Sequence, residues 1–221
     1  MDLILFLIII IVPLVADIFV RINYGVYSKK INNCGLNGGD VARKILEKNG
    51  LSNIYVVETN GYLTDHYDPN RKVIRLSHNV YQSDSVASIA IAAHECGHAL
   101  QDKEGYFFLR LRSFIYPIVN IATSISYYII LIGFLFEAFN LVYIGIALTA
   151  LGLLFQIITL PVEFNASKRA GKEIDSLKLA DKEEKSGVKK VLVSAALTYV
   201  AGVLASAIQI FRLILMAKDR D

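Results

Sequence analysis

The chain has 221 residues, of which 54% are hydrophobic, and its mean hydropathy is positive. This composition excludes an ordinary soluble domain and favours membrane-spanning segments. The net charge of +3 is small and the basic residues are dispersed, which argues against nucleic-acid binding. The two cysteines, Cys34 and Cys96, are too few for a disulfide framework and favour a reducing compartment.

Four apolar runs are long enough to cross the hydrocarbon core of a bilayer as helices. They lie at 3–20, 114–136, 141–160 and 191–211. No basic segment precedes the first run and no small-residue cleavage site follows it, so it predicts an uncleaved anchor rather than a signal peptide. The third and fourth runs repeat small or short polar residues every four positions, which predicts close helix packing. These positions are Gly145, Thr149, Gly152 and Gln156, and Ser194, Thr198, Gly202 and Ser206.

Residues 21–113 are rich in charges and turn residues, which indicates a domain outside the membrane. After a helix expected from about Val41 to Lys48, three strands are expected at 54–58, 62–67 and 72–76. The dipeptide Asn60-Gly61 favours a hairpin between the first two strands. We therefore expect a small antiparallel sheet, whose strand 72–76 could hold an extended peptide if it lies at the edge.

The segment that organises the chain is 92–101, which reads Ala-Ala-His-Glu-Cys-Gly-His-Ala-Leu-Gln. In a helix, His94 and His98 lie one turn apart on one face, where two imidazoles can bind one metal ion. Glu95 lies beside them and could act as a general base on a metal-bound water. This spacing is the signature of zinc hydrolases, so Zn²⁺ is the expected cofactor and Glu95 the expected catalytic residue.

Two neighbours of the histidines have other expected roles. Gly97 costs about 1 kcal/mol relative to alanine in a helix interior, which predicts that another backbone or a substrate approaches closely there. Cys96 lies two positions after His94 and therefore points away from the metal-binding face, so we expect it to pack in the core.

A third metal ligand is needed, and the sequence offers three candidates. Glu104 has the spacing of the third metzincin ligand, but Gln101 replaces the glycine at which such chains turn. Asp102 lies one turn beyond His98 on the same helix and would need unusual geometry to reach the ion. Glu163 is preferred, because it shares a helical face with small residues and could pack closely against another helix. These residues are Ala166, Ser167 and Ala170.

The residue that would stabilise an oxyanion is not evident from the sequence. His66 and Tyr67 are candidates, although a strand histidine is more often structural. His78 is expected to be a surface or helix-cap residue.

The distribution of basic residues predicts the orientation in the membrane. Four spans put residues 21–113 and 161–190 on one side and both termini on the other. Basic residues near span ends concentrate on the first side, at Arg21, Lys29, Lys30, Arg110, Arg112, Lys168, Arg169, Lys189 and Lys190, against Lys218 and Arg220 on the other. The metal-binding helix is therefore expected to face the cytoplasm.

Several segments together resemble the bacterial membrane-associated neutral zinc metallopeptidase family of the YugP type, over nearly the whole chain. The segments are 65–69, 74–77, 92–101, 160–167 and 195–200. More distantly, His-Glu-x-x-His followed by Glu-x-x-Ala is similar to the gluzincin pattern of membrane proteases, many of which carry Asp where this chain has Ser167. The resemblance implies a peptidase in which His94, His98 and Glu163 bind zinc, and it identifies no substrate.

We therefore predict an α+β membrane protein with four transmembrane helices and a zincin-like domain that contains a small antiparallel sheet and the His-Glu-x-x-His helix. The predicted divisions are an N-terminal anchor at 1–20, a cytoplasmic domain at 21–113, a transmembrane hairpin at 114–160, a Glu-ligand helix at 161–190 and a transmembrane helix at 191–221. The expected function is zinc-dependent endopeptidase action at the cytoplasmic face of the bacterial inner membrane. The expected partners are the lipid bilayer and protein or peptide substrates, including membrane proteins. The alternative is a non-catalytic scaffold or adaptor that retains a structural zinc site.

Overall fold

The computed structural model describes residues 2–218, which form seven helices and one small sheet. The helices are α1 (Asp2–Tyr27), α2 (Gly38–Lys48), α3 (His78–Tyr81), α4 (Val86–Lys103), α5 (Phe107–Leu135), α6 (Phe139–Ser176) and α7 (Lys182–Lys218). The strands are β1 (Tyr55–Thr59), β2 (His66–Asp68) and β3 (Val73–Ser77). The protein is therefore mostly helical.

Four of these helices are long and apolar enough to cross a membrane, at Leu3–Tyr27, Phe107–Leu135, Phe139–Ser176 and Lys182–Lys218. The four apolar runs of the sequence each correspond to one of them. Large apolar side chains remain exposed along these helices, for example Leu3 at 69% and Phe114 at 74%. Such exposure is unfavourable in water and is expected for groups that face lipid, so the helices have the length and surface of membrane-spanning helices.

The chain forms two compact units, and the first comprises residues up to 17, 107–161 and those from 197 onward. Within this unit the predicted small-residue positions make close contacts. A Cβ atom on Gly145 would lie 2.4 Å from Cγ1 of Ile130. The hydroxyl of Ser206 donates a hydrogen bond of 3.0 Å to Oε1 of Gln156. The small residues thus allow helices of this unit to approach one another, as membrane helices commonly do.

The second unit comprises residues 18–106 and 162–196, and its core surrounds α4. Ile89 and Ala93 of α4 are fully buried, as are Val41 and Ile45 of α2. Ser85 caps the N-terminus of α4 by accepting a hydrogen bond from the backbone N–H three residues later. The helix that carries the histidines is therefore a buried central element of this unit.

The sheet is mixed, so the prediction of an antiparallel sheet is wrong in part. β3 is the central strand, with β1 parallel to it on one side and β2 antiparallel to it on the other. The hairpin expected at Asn60-Gly61 does not join β1 to β2, because the loop of residues 60–65 carries the chain past β3 before it returns. Asp65 ends that loop by accepting hydrogen bonds from the backbone N–H and the hydroxyl of Ser77.

The central position of β3 also means that strand 72–76 does not lie at the sheet edge, which was the condition for peptide binding there. Val73, Ile74 and Leu76 are buried, and both edges of β3 are occupied by neighbouring strands. A peptide cannot add to a strand whose backbone groups are already paired on both sides. Strand addition at β3 is therefore excluded.

Candidate metal centre

Helix α4 presents His94 and His98 on one face, one helical turn apart. Their ring centroids are 4.8 Å apart and the ring planes are nearly perpendicular. The side chains are 16% and 12% exposed, so the imidazoles are largely enclosed while a route to solvent remains. The spacing in the sequence is sufficient to bring the two rings together.

Helix α6 brings Glu163 to the same point. Its Oε2 atom lies 3.3 Å from Nε2 of His94 and 3.6 Å from Nε2 of His98. The carboxylate is almost completely buried, and the potential ligand atoms of the three residues all lie within 4.8 Å of one another. The structure therefore brings together the three residues that the sequence nominated as metal ligands.

The two separations between Glu163 and the histidines match those of ligands on one zinc ion. Zn²⁺ binds imidazole nitrogen and carboxylate oxygen at about 2.0–2.2 Å, so neighbouring ligands of a tetrahedral site are about 3.4 Å apart. The separations of 3.3 and 3.6 Å between Glu163 and the two histidines agree with this value. Two nitrogens and one carboxylate are also the ligand set of zinc hydrolases that keep one position open for water.

A close crossing of α4 and α6 sets these distances. A Cβ atom on Gly97 would lie 2.5 Å from the carbonyl oxygen of Ala166, which is closer than real contacts allow. Ala166 and Ala170 are fully buried on the same face of α6 as Glu163. The close backbone approach predicted at Gly97 is thus observed, and the approaching group is the helix that carries the third candidate ligand.

The ring nitrogens that point away from Glu163 are held by neutral groups. Nδ1 of His94 lies 3.1 Å from the hydroxyl of Ser167, and Nδ1 of His98 lies 3.0 Å from Oε1 of Gln101. Such partners orient metal-binding imidazoles. The sequence analysis considered Gln101 only as the residue that replaces a glycine, although its position three residues after His98 could have indicated contact with the ring.

Glu95 is buried beside the histidines, with 7% of its surface exposed. Burial raises the pKa of Glu95 to about 7, although the charge of His94 and the backbone N–H of Tyr67 act in the opposite direction. The carboxylates of Asp65 and Glu163 raise it further. A carboxyl group with a pKa near neutrality can both accept and release a proton, as a general base and acid must.

The two alternative ligands of the sequence analysis have other partners. Asp102 accepts a 2.7 Å hydrogen bond from the Tyr67 hydroxyl and another from the Lys72 ammonium group. Glu104 follows the end of α4 and forms a bidentate pair with Arg169, with both N···O distances at 2.7 Å. Neither residue belongs to the group of His94, His98 and Glu163.

The remaining candidates lie at the edges of the unit or in its core. His66 is exposed, and its Nδ1 contacts the carbonyl oxygen of Thr64. Tyr67 is half-buried, and burial followed by its hydrogen bond to Asp102 raises the pKa of its hydroxyl. His78 begins α3 at the surface. Cys96 is buried against the carbonyl oxygen of Ala42, which agrees with its predicted packing role.

The structure combines membrane-length helices with a cluster of two histidines and a glutamate, and a second glutamate lies beside that cluster. This combination is typical of membrane metallopeptidases. The model of the family described as "Putative neutral zinc metallopeptidase" matches residues 2–218, and the chain belongs to this family. The chain is also 45% identical over 201 residues to the Bacillus subtilis (strain 168) protein named "Putative membrane protease YugP". That match covers 91% of this chain and 89% of the relative. No solved structure matches the chain.

Proposed function

We propose that this protein is a zinc-dependent endopeptidase that hydrolyses peptide bonds of proteins or peptides at the cytoplasmic face of the membrane. The observation that carries the proposal is the convergence of His94, His98 and Glu163 at distances that suit one zinc ion. A buried Glu95 adjacent to this group supplies the acid–base function that such chemistry needs. The family to which the chain belongs supports the same reaction class.

His94, His98 and Glu163 would hold the zinc ion, and Glu95 would move the proton. Zinc bound by these residues supplies a Lewis acid that polarises a carbonyl and lowers the pKa of water. Glu95 accepts a proton from the attacking water and donates it to the leaving amine. Its burial keeps the carboxyl group away from bulk water and tunes it for both steps.

The orientation and the membrane location are part of the proposal. Glu163 follows the apolar run 141–160 within one helical turn, on a helix without interruption at Pro161. A ligand so close in sequence to a membrane span would keep the site near the bilayer surface. The basic residues that flank the spans on the side of residues 21–113 favour the cytoplasmic face.

The experiment that tests the proposal is the substitution Glu95→Gln in the full-length protein. The variant should retain zinc, since Glu95 is not a ligand, and lose all peptide cleavage. Proteins captured by this inactive variant in membranes, and cleaved by the native protein, would be its substrates. The matched control is Glu58→Gln, which changes an exposed glutamate paired with His78 outside the site.

Other outcomes distinguish the alternatives. If the cellular function survives Glu95→Gln while zinc remains bound, the protein is a scaffold or adaptor with a structural zinc site. If the purified native protein binds no zinc and His94→Ala changes nothing, both functions are refuted.

A further inference from the structure

Gln101 is a fully buried polar side chain that contacts both helices of the metal centre. Its Oε1 atom lies 3.0 Å from Nδ1 of His98 on its own helix. Its Nε2 atom donates to the carbonyl oxygen of Val162 at 2.7 Å and to Oδ1 of Asn165 at 3.0 Å, both on α6. A single amide therefore joins one candidate ligand, His98, to the residue that precedes another, Glu163.

The chemistry of its partners fixes the orientation of this amide. The backbone carbonyl of Val162 can only accept a hydrogen bond, so the NH₂ group of Gln101 must face it. The guanidinium of Arg169 can only donate, and its Nε donates to Oδ1 of Asn165 at 2.7 Å, so that oxygen must also face the NH₂ group of Gln101. Two groups with unambiguous roles thus require the Gln101 oxygen to point at His98.

The orientation of Gln101 in turn fixes the tautomer of His98. An amide oxygen only accepts, so Nδ1 of His98 must carry the hydrogen. In the neutral ring, Nε2 then carries the lone pair, and this is the nitrogen that faces Glu163. Without this hydrogen bond, the neutral His98 ring would populate both tautomers. The tautomer with its hydrogen on Nε2 cannot bind a metal through that atom.

We propose that Gln101 is a positioning residue that holds His98 in its metal-binding tautomer and fixes the register of Glu163 against it. The Asn165 and Arg169 side chains hold the amide in this orientation. Arg169 is itself fixed by its bidentate pair with Glu104, and both Arg169 and Gln101 donate to Oδ1 of Asn165. The zinc-binding test of this inference rests on the proposed function. The tautomer of His98 does not, because it follows from the contact with Gln101.

The test compares Gln101→Met with a control substitution in the purified full-length protein. Gln101→Met has a similar length and removes the hydrogen bonds to His98, Val162 and Asn165. Zinc affinity is measured by competition with a chromogenic chelator, and the Co²⁺ absorption spectrum reports the ligand geometry. Gln82→Met is the matched control, because Gln82 is an exposed glutamine that binds Glu58 outside the site.

Gln101→Met should weaken zinc binding by about tenfold to a hundredfold and change the Co²⁺ spectrum, as loss of a partner behind a metal-binding histidine commonly does. Gln82→Met should bind zinc as the native protein does. The proposal is overturned if Gln101→Met folds, by its circular dichroism spectrum, and binds zinc within about twofold of the native protein.

A second measurement needs neither a Gln101 variant nor metal. The ¹⁵N chemical shifts of histidine-labelled native protein should show a hydrogen on Nδ1 of His98, with assignment by His98→Asn. An Nδ1 atom without a hydrogen would overturn the proposal even if Gln101→Met failed to fold, whereas a hydrogen on Nε2, which faces Glu163 in the metal-free protein, does not bear on it. If the native protein bound no zinc, the proposed function would fail while this measurement would still decide the role of Gln101.

Discussion

Substitution of Gly97 by alanine should separate the two helices that carry the candidate ligands. The new Cβ atom would lie 2.5 Å from the carbonyl oxygen of Ala166 and 3.1 Å from its Cα. Carbon–oxygen contacts in proteins are about 3.3–3.6 Å, so the helices must move apart by about 0.8 Å or more. Glu163 lies one turn before Ala166 and would move with it.

The consequence for the metal centre should be large. Metal–ligand distances vary by only about 0.2 Å, which is well below the required displacement. A misplacement of about 1 Å typically costs about a hundredfold, so we expect zinc affinity to fall by about that factor. Overpacking should also lower the free energy of unfolding by about 1–3 kcal/mol, offset by about 1 kcal/mol from the higher helix propensity of alanine.

Gly171→Ala is the matched control, because Gly171 lies in α6 and a Cβ atom there would meet nothing within 4 Å. This variant should bind zinc normally and be more stable by about 0.5–1 kcal/mol. Chelator competition gives the zinc affinities and circular dichroism at increasing temperature gives the stabilities. The reasoning is refuted if Gly97→Ala binds zinc as the native protein does and is stabilised to the same extent as Gly171→Ala.

Three further substitutions test individual contacts. Glu163→Gln should leave less than one zinc per chain after dialysis, by metal analysis, whereas full zinc content would mean that the third ligand lies elsewhere. Tyr67→Phe should lower the free energy of unfolding by about 1 kcal/mol, because the hydrogen bond to Asp102 is lost, and should change kcat little. A fall in kcat of about a hundredfold or more would instead identify Tyr67 as an oxyanion donor. The hydrogen bonds from Arg169 lower the pKa of Glu104 in the folded protein. Their contribution to stability is therefore fully present above the pKa of the unfolded carboxyl group, about 4.3, and is lost as the pH falls through the pKa of the folded state. Glu104→Gln should therefore destabilise by up to about 1 kcal/mol at pH 7 and make no difference in acid, and an equal loss at both pH values would contradict the ion pair.

The sequence predicted the parts of the site that depend on helical spacing. His94 and His98 need only a helix to share a face. The small residues in register with Glu163 indicated a helix that packs closely. Gly97 indicated the point of contact, and the structure pairs it with Ala166.

The sequence did not predict the order of the strands. Asn60-Gly61 is a strong local hairpin signal, but the pairing of β1 with β3 is parallel and joins residues that no local pattern relates. Part of the role of Gln101 was hidden for a similar reason. Its position three residues after His98 could have indicated the contact with that ring, but its partners Val162 and Asn165 lie on a helix far along the chain.

The segment 162–170 of α6 supplies one of the three candidate metal ligands and several of the contacts around them. It contributes Glu163, the Ser167 hydroxyl behind His94, and the groups that bind Gln101. Two histidines one turn apart on α4 form an incomplete zinc site without it. Packing of α6 on α4 and completion of the ligand set are therefore one structural event, which couples metal affinity to the stability of the second unit. Any change that loosens this helix crossing should weaken zinc binding, even where the changed residue contacts no ligand.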